Sequence, residues 1–475
     1  MKYFRMSTVL TNRLKKPNWL LSLLIVGVMP VLAQKQNAIY SGTPWIDNNG
    51  NIVSAHGACI IKNKGKFYLF GERHSDTSNA FAGFNCYSSA DLYNWKFESI
   101  ALPVQESGKL GPNRVGERVK VMQCPSTGEY IMYMHVDTLG YTDQFTGYAI
   151  AKNVTGPYRF MGPLLFNDKP IRKWDMGAFQ DEDGSGYILL HGGDIYQLNN
   201  DYKSVSKQMN KAFEKGFEAP TIFKKDSLYY FIGSDLTGWE RNDNYYFTAT
   251  ALTGPWIKRG FVAPKGTLTW NSQATFVLPV KGAKETTYLF MGDRWSFPKQ
   301  ASAATYVWQS LTVEGYNISI PEYKDAWSIN SSTGVVSSVV IKGNVITAAN
   351  QQISYSGNWH QDTLTVQTAD EKNASLSFTV NSTQLAIYGL SRPDGGYASI
   401  AIQNSRGKTI LKVAVDMYSK HPEIALKYIS PVLKKDTYKV ILTVLGERWY
   451  WKDKKGNLSG SRGNVVSIDR LVVYE

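Results

Sequence analysis

Cysteine is scarce, with three residues (Cys59, Cys86 and Cys124) in a chain of 475. An odd and low count excludes a disulfide framework, and no Cys/His spacing of the zinc-binding kind is present. Cys59 and Cys86 fall within one short stretch and could pair, but the expectation is buried free thiols. A Gly-rich phosphate loop and a Gly-x-Ser-x-Gly elbow are both missing, so nothing points to nucleotide binding or to a serine hydrolase. Helical periodicity is missing as well. Long apolar runs are absent except for Trp19 to Ala33, which follows Lys2, Arg5, Arg13, Lys15 and Lys16 and ends in Val31-Leu32-Ala33-Gln34. A run of about 15 apolar residues is short for a membrane span. With its basic flank and small-residue end it reads as a secretory leader over residues 1–34. No cysteine near its end suggests a lipid anchor. The expected product is exported, periplasmic or secreted, and free of the membrane.

The formal charge is +13. Five of the 52 basic residues and none of the 39 acidic ones lie in the first 34, which leaves the remainder at about +8. That excess is scattered through Lys-rich turns such as Lys62-Asn63-Lys64 and Lys452-Asp453-Lys454-Lys455. A nucleic-acid partner would need it gathered on one face, so none is expected. Aromatics make up 13% of the chain, with 13 Trp and 29 Tyr. They suit sheet cores and sugar-stacking surfaces alike.

What is present in quantity is a repeat. Gly216-Phe217-Glu218-Ala219-Pro220-Thr221-Ile222-Phe223, the turn Lys224-Lys225-Asp226-Ser227, and Leu228-Tyr229-Tyr230-Phe231-Ile232-Gly233-Ser234 read as a hairpin whose acid stands at the strand start. His56-Gly57-Ala58, Glu117-Arg118-Val119, Asp175-Met176-Gly177 and Gln273-Ala274-Thr275 open comparable units. Outer strands repeat too, since Thr155-Gly156-Pro157-Tyr158 recurs as Thr253-Gly254-Pro255-Trp256. Five such units predict a five-bladed β-propeller over residues 35–322, with the opening residues converging on one funnel. A turn-rich linker over 323–337 and a β-sandwich over 338–475 complete an all-β chain. In the latter, Leu376, Phe378 and Val380 alternate with Ser377 and Thr379.

These motifs, together with Gly292-Asp293-Arg294-Trp295 and Tyr306-Val307-Trp308, resemble glycoside hydrolase family 43, and within it the exo-β-1,3-galactanase and β-galactosidase branch. The tail, with Asp394-Gly395-Gly396-Tyr397, Asp416-Met417-Tyr418 and Asp469-Arg470, resembles jelly-roll-like, galactose-binding-like sandwiches. The resemblance implies a monomeric hydrolase of oligo- or polysaccharides that uses no metal and no cofactor. A structural calcium ion has no signal in the sequence.

Glycoside hydrolysis needs a proton donor for the leaving oxygen and a second group for water or for attack. Crowded carboxylates supply the donor by raising one another's pKa. The resemblance assigns the general acid to Glu218 and a supporting role to Asp175. Where the wider family has an aspartate base, this chain has His56-Gly57-Ala58. Gln273 and Glu117, with Glu72 third, are the candidates for handling water. Glu72, Asp175, His56, Asp293, Arg294 and Trp295 are expected to bind sugar. A non-catalytic glycan-binding propeller and an α-L-arabinofuranosidase or β-xylosidase are the alternatives. Trp359, Tyr397, Tyr418, Trp449 and Trp451 are either a sugar platform or core, and the tail is expected to be separable without loss of the active site.

Overall fold

The computed structural model describes residues 35–474 apart from 364, 454 and 455. The leader expected over 1–34 lies outside them. Five four-stranded antiparallel sheets follow one another in the chain, each in simple sequential strand order. Their first strands are His56–Asn63, Arg114–Gln123, Met176–Gln180, Glu218–Lys225 and Gln273–Lys281. Each first strand neighbours that of the next sheet, and the fifth neighbours the first, so the five meet around a common centre. The repeated Thr-Gly-Pro motifs recur structurally as well, each with a cis Gly-Pro bond.

Between successive sheets lie apolar layers. Cys59, Phe70, Val121 and Met132 fill one, and Phe223, Tyr230, Val277 and Phe290 another. All three cysteines are buried free thiols. Burial pushes Cys59 up to about 11, which leaves it inert as a nucleophile.

The expected linker is not a free tether. Ala326–Ile329 and Val336–Ser338 form a hairpin that pairs with Ile39–Tyr40. Trp327 is wholly buried beside Trp45 and Trp308 and donates through Nε1 to Trp308 O at 2.8 Å. A polar, turn-rich sequence concealed one anchoring tryptophan. Beyond it a five-stranded and a six-stranded sheet share one apolar core. Leu376, Phe378 and Val380 face into that core while Ser377 and Thr379 do not. The described residues hold together as one compact unit. Among the described residues, helix is confined to three single turns, and no helix is long and apolar enough to cross a membrane.

Candidate active site

The site is built from a device used four times. The pairing of a first strand with its neighbour slips between His56 and Cys59, Glu117 and Lys120, Glu218 and Thr221, and Ala274 and Phe276. Inside three of these bulges sits a left-handed residue: Gly57 at φ 60°, Arg118 at 56° and Ala219 at 55°. Asp175, just before the third sheet, stands at 52°. A bulge bends the strand and re-aims the side chain beside it. Pro220, with no N–H to offer, falls inside the bulge between Glu218 and Thr221, where the ladder asks for none. Beyond each bulge the register pairs one polar residue with another: His56 with Glu72, Glu117 with His135, Glu218 with Ser234, and Gln273 with Asp293.

The N–H groups freed by the bulges bind acids of the adjacent sheet. Gly57 N donates to Asp293 Oδ2 at 3.0 Å, Arg118 N to Glu72 Oε1 at 2.7 Å, and Ala219 N to Asp175 Oδ2. In the fifth sheet Ala274 N donates to Asn244 Oδ1 at 2.7 Å. Glu72, Asp175 and Asp293 are therefore fasteners between sheets. Their remaining oxygens are engaged too, since Asp293 Oδ1 meets His56 Nδ1 at 3.0 Å and Glu72 Oε2 meets His74 Nε2 at 2.9 Å. Asp175 Oδ1 meets Arg118 Nε at 2.9 Å. The His56 ring is buried and stacks on Tyr306 at 4.3 Å. Sugar binding was the expectation for these four residues; the structure places both oxygens of Glu72, Asp175 and Asp293, and Nδ1 of His56, on protein partners. Buried Lys120, which burial lowers to about 8, ties the first two bulges by donating to Gly57 O at 2.9 Å.

Glu117 and Glu218 differ from those three and from each other. Burial and the nearby Asp175 charge push the Glu218 carboxyl up, Arg118 and Gln273 pull it back, and it settles at about 8. Its Oε1 accepts from Gln273 Nε2 at 3.0 Å, and among the described residues Oε2 has no partner. Burial would raise Glu117 as well, but His135 through its bond and charge, with Tyr141 and Asn79, holds it down at about 2. Tyr141 OH donates to Glu117 Oε1 at 2.7 Å and Asn79 Nδ2 to the same oxygen at 2.8 Å. His135 Nδ1 lies 3.3 Å from Oε2. Against its own burial, Asp137 and Glu117 raise His135 to about 9. Two carboxyl groups in one site, one kept protonated and one kept ionised, is the arrangement acid–base chemistry needs.

Gln273 is fixed in one orientation. Its Oε1 accepts from Arg118 Nη2 at 2.5 Å and from Trp295 Nε1 at 2.9 Å, and neither group can accept in return. The amide hydrogens go to Glu218 Oε1 and, at 2.9 Å, to Ser234 Oγ. Trp295 thus acts as a prop for Gln273. Arg294 turns away, because successive residues of a strand face opposite sides and Asp293 already faces the centre. Its Nε donates to Asn271 O at 3.1 Å and its Nη2 to Trp270 O at 2.9 Å. Sugar binding was expected of it; the structure places its head in the lining of a small cavity with Asp416, Tyr418 and Lys427.

The segment ending two residues before Gln273 is unusual. Leu268, Thr269, Trp270 and Asn271 have φ of 55°, 52°, 55° and 57°, one turn of left-handed helix. L-residues resist this conformation by about 1–2 kcal/mol each, and a β-branched threonine there is a genuine outlier. Asp243 holds the entry by accepting from Leu268 N at 2.8 Å and Gly266 N at 2.7 Å.

Arg118, His135, Tyr141, Asn79 and Ser234 were not singled out from the sequence. Counting back along each hairpin from its turn would have reached His135 and Ser234, once the bulge was allowed for. Among the described residues no group of three or more His, Cys, Asp or Glu is placed to hold a metal ion.

Comparison with known proteins places this geometry in context. The model of glycosyl hydrolases family 43 matches residues 50–260. A solved chain from Bifidobacterium bifidum, assigned as an exo-β-1,3-galactanase, is 37% identical, with a TM-score of 0.56 over 59% of this chain and 95% of its own. An exo-β-1,3-galactanase from Phanerochaete chrysosporium, solved with galactose, is 26% identical, with a TM-score of 0.65 over 92% of this chain and 100% of its own. An extracellular endo-α-(1→5)-L-arabinanase of Bacillus subtilis is 23% identical over 48% of this chain. The match spans about half, 53%, of that curated relative.

Proposed function

This chain belongs to glycosyl hydrolase family 43, and from that premise we propose that it is an exported exo-acting enzyme removing terminal β-linked galactose, with β-1,3-galactan or arabinogalactan as the glycan. The five sheets are read as blades of a β-propeller, and the two C-terminal sheets as a galactose-binding-like sandwich. The enzyme is a glycoside hydrolase. One observation carries the assignment of roles: of the two acids not spent on fastening sheets, Glu218 is the one whose pKa stands at about 8 and whose Oε2 has no partner among the described residues.

In this reading Glu218 gives the proton on Oε2 to the glycosidic oxygen as the bond to the anomeric carbon breaks. Positive charge then develops on the ring, where ionised Glu117 stabilises it. Water attacks from the opposite face, so configuration inverts, and its proton passes to Glu117, with Gln273 as the neutral amide that positions the water. Arg118 and Trp295 hold Gln273 in place, and burial together with the Asp175 charge keeps Glu218 protonated.

The test is a screen of purified protein against β-1,3-galactan, arabinogalactan, arabinan and xylan, with proton NMR of the first product. Galactose appearing first as the α anomer is the expected result, and Glu218→Gln is expected to lose about 10²–10⁴-fold in rate. Arabinose from arabinan, the outcome favoured by the arabinanase match, would replace the substrate assignment. A Glu218→Gln variant at wild-type rate would remove Glu218 from its role.

A further inference from the structure

We propose that Asn271 is a positioning residue for Gln273 and that Glu423, from the C-terminal half of the chain, latches it, so that this half acts on the reaction itself. The inference rests on Gln273 serving the reaction as described above. Asn271 closes the left-handed turn, and its Nδ2 donates to Glu423 Oε1 at 2.6 Å and to Ser419 Oγ at 3.3 Å. From the other side its carbonyl accepts from Arg294. The turn is therefore gripped by a strand of the fifth sheet and by the start of the C-terminal strand Glu423–Ile429.

A strained turn persists only where its surroundings over-determine it. Here the surroundings come from both halves of the chain. Ser272, next after the turn, is pinned by its Oγ bond to Thr269 O at 2.7 Å and by Gly292, where any Cβ would lie 2.7 Å from that Oγ. The path from Glu423 to Gln273 is thus Asn271 and Ser272, with little room to absorb a shift. If the turn relaxes toward ordinary φ, the start of the strand Gln273–Lys281 rotates. Gln273 then loses its alignment with Glu218, Arg118 and Trp295.

The experiment uses the full chain. Glu423→Ala should lower kcat about 10–100-fold, the scale of a displaced catalytic group, with KM little changed. Glu423→Gln keeps an oxygen acceptor for Asn271 and should stay near wild type. Hydrogen exchange of a peptide over 268–273 should quicken in Glu423→Ala and not in Glu423→Gln. Because the Gln273 bond pulls the Glu218 pKa down, the alkaline limb of kcat/KM should also move upward in Glu423→Ala. Unchanged exchange over 268–273 in Glu423→Ala would overturn the latch. So would an equal rate loss from Glu423→Ala in a chain already carrying Gln273→Ala. Should Glu423→Ala not fold, Asn271→Asp, which sets an acceptor against Glu423, carries the same readouts. A fully active Gln273→Ala would instead sink the role of Gln273, and exchange would still report on the latch.

Discussion

At the scale of single residues, the site is set by how each carboxyl group is occupied. Glu72, Asp175 and Asp293 bind backbone N–H groups, Glu117 is clamped by His135, Tyr141 and Asn79, and Glu218 is left with one neutral amide. That isolation has a consequence for stability. The Glu218 pKa rises from 4.5 to about 8 on folding, so between those values the native state binds more protons than the unfolded chain. Stability contributed below pH 4.5 is accordingly lost as pH climbs through about 8. Glu218→Gln does not titrate. Its melting temperature should exceed that of wild type by a margin that widens from pH 5 to about pH 8, while activity is lost. A constant margin across that range would show that the carboxyl is not raised. The same exchange of stability for chemistry is common at active sites.

At the scale of elements, the bulge is the unit that does the positioning. It turns one backbone N–H out of the ladder, and in three of the four cases a carboxylate beside the adjacent sheet takes it. Gly57 is where this is tightest: at φ 60° an added Cβ would lie 1.9 Å from Glu72 Oε1. Gly57→Ala should cost about 1–3 kcal/mol from the backbone alone and should also displace Glu72 from Arg118 N. Denaturant unfolding would read the loss, and a midpoint equal to wild type would show that the bulge tolerates a side chain. The repeat itself was legible in the sequence, because apolar strands, turns and opening polar residues recur in order. The bulges were not, since a slip of register leaves the pattern of side-chain types unchanged. Asp293, Arg294 and Trp295 illustrate the difference. Read as one motif they looked alike, but the strand sends Asp293 to the centre, Arg294 to the opposite side and Trp295 onto Gln273.

At the scale of the whole molecule, the two halves share a seam of polar and aromatic contacts. Tyr418 OH donates to Glu240 Oε2 at 2.7 Å, Ser296 Oγ to Asp416 Oδ2 at 2.8 Å, and Tyr397 OH to Ser296 O at 2.9 Å. Tyr397, Tyr418, Trp449 and Trp451 are buried in a cluster with Ala303, against which Trp239 and Phe297 pack, while Trp359 packs half-buried against the core of the C-terminal sheets. Four of the five aromatics weighed as a sugar platform are therefore interface. A chain of residues 35–335 would expose this apolar face and lose the end of the hairpin at Val336–Ser338. It should aggregate or melt well below the full chain, with reduced rate on a small galactoside as well as on polymer. A soluble fragment with the full small-substrate rate would restore the separable tail that the sequence suggested.

The sequence by itself determined the strand-rich class, the five-unit order, the Glu-Ala-Pro motif of Glu218 and the absence of zinc-type spacing, because these rest on local residue types and periodicity. The acids it gathered as one set were divided only by the tertiary structure. Which carboxylate fastens sheets, which is clamped ionised and which is free to hold a proton depends on atoms brought together from 18 to 236 positions apart, as with Glu117 and His135 or Gly57 and Asp293. The same holds for the tail. Its strands were visible in their alternation, but its grip on the turn before Gln273 passes through Asn271 and Glu423, 152 positions apart, and no local pattern records such a contact.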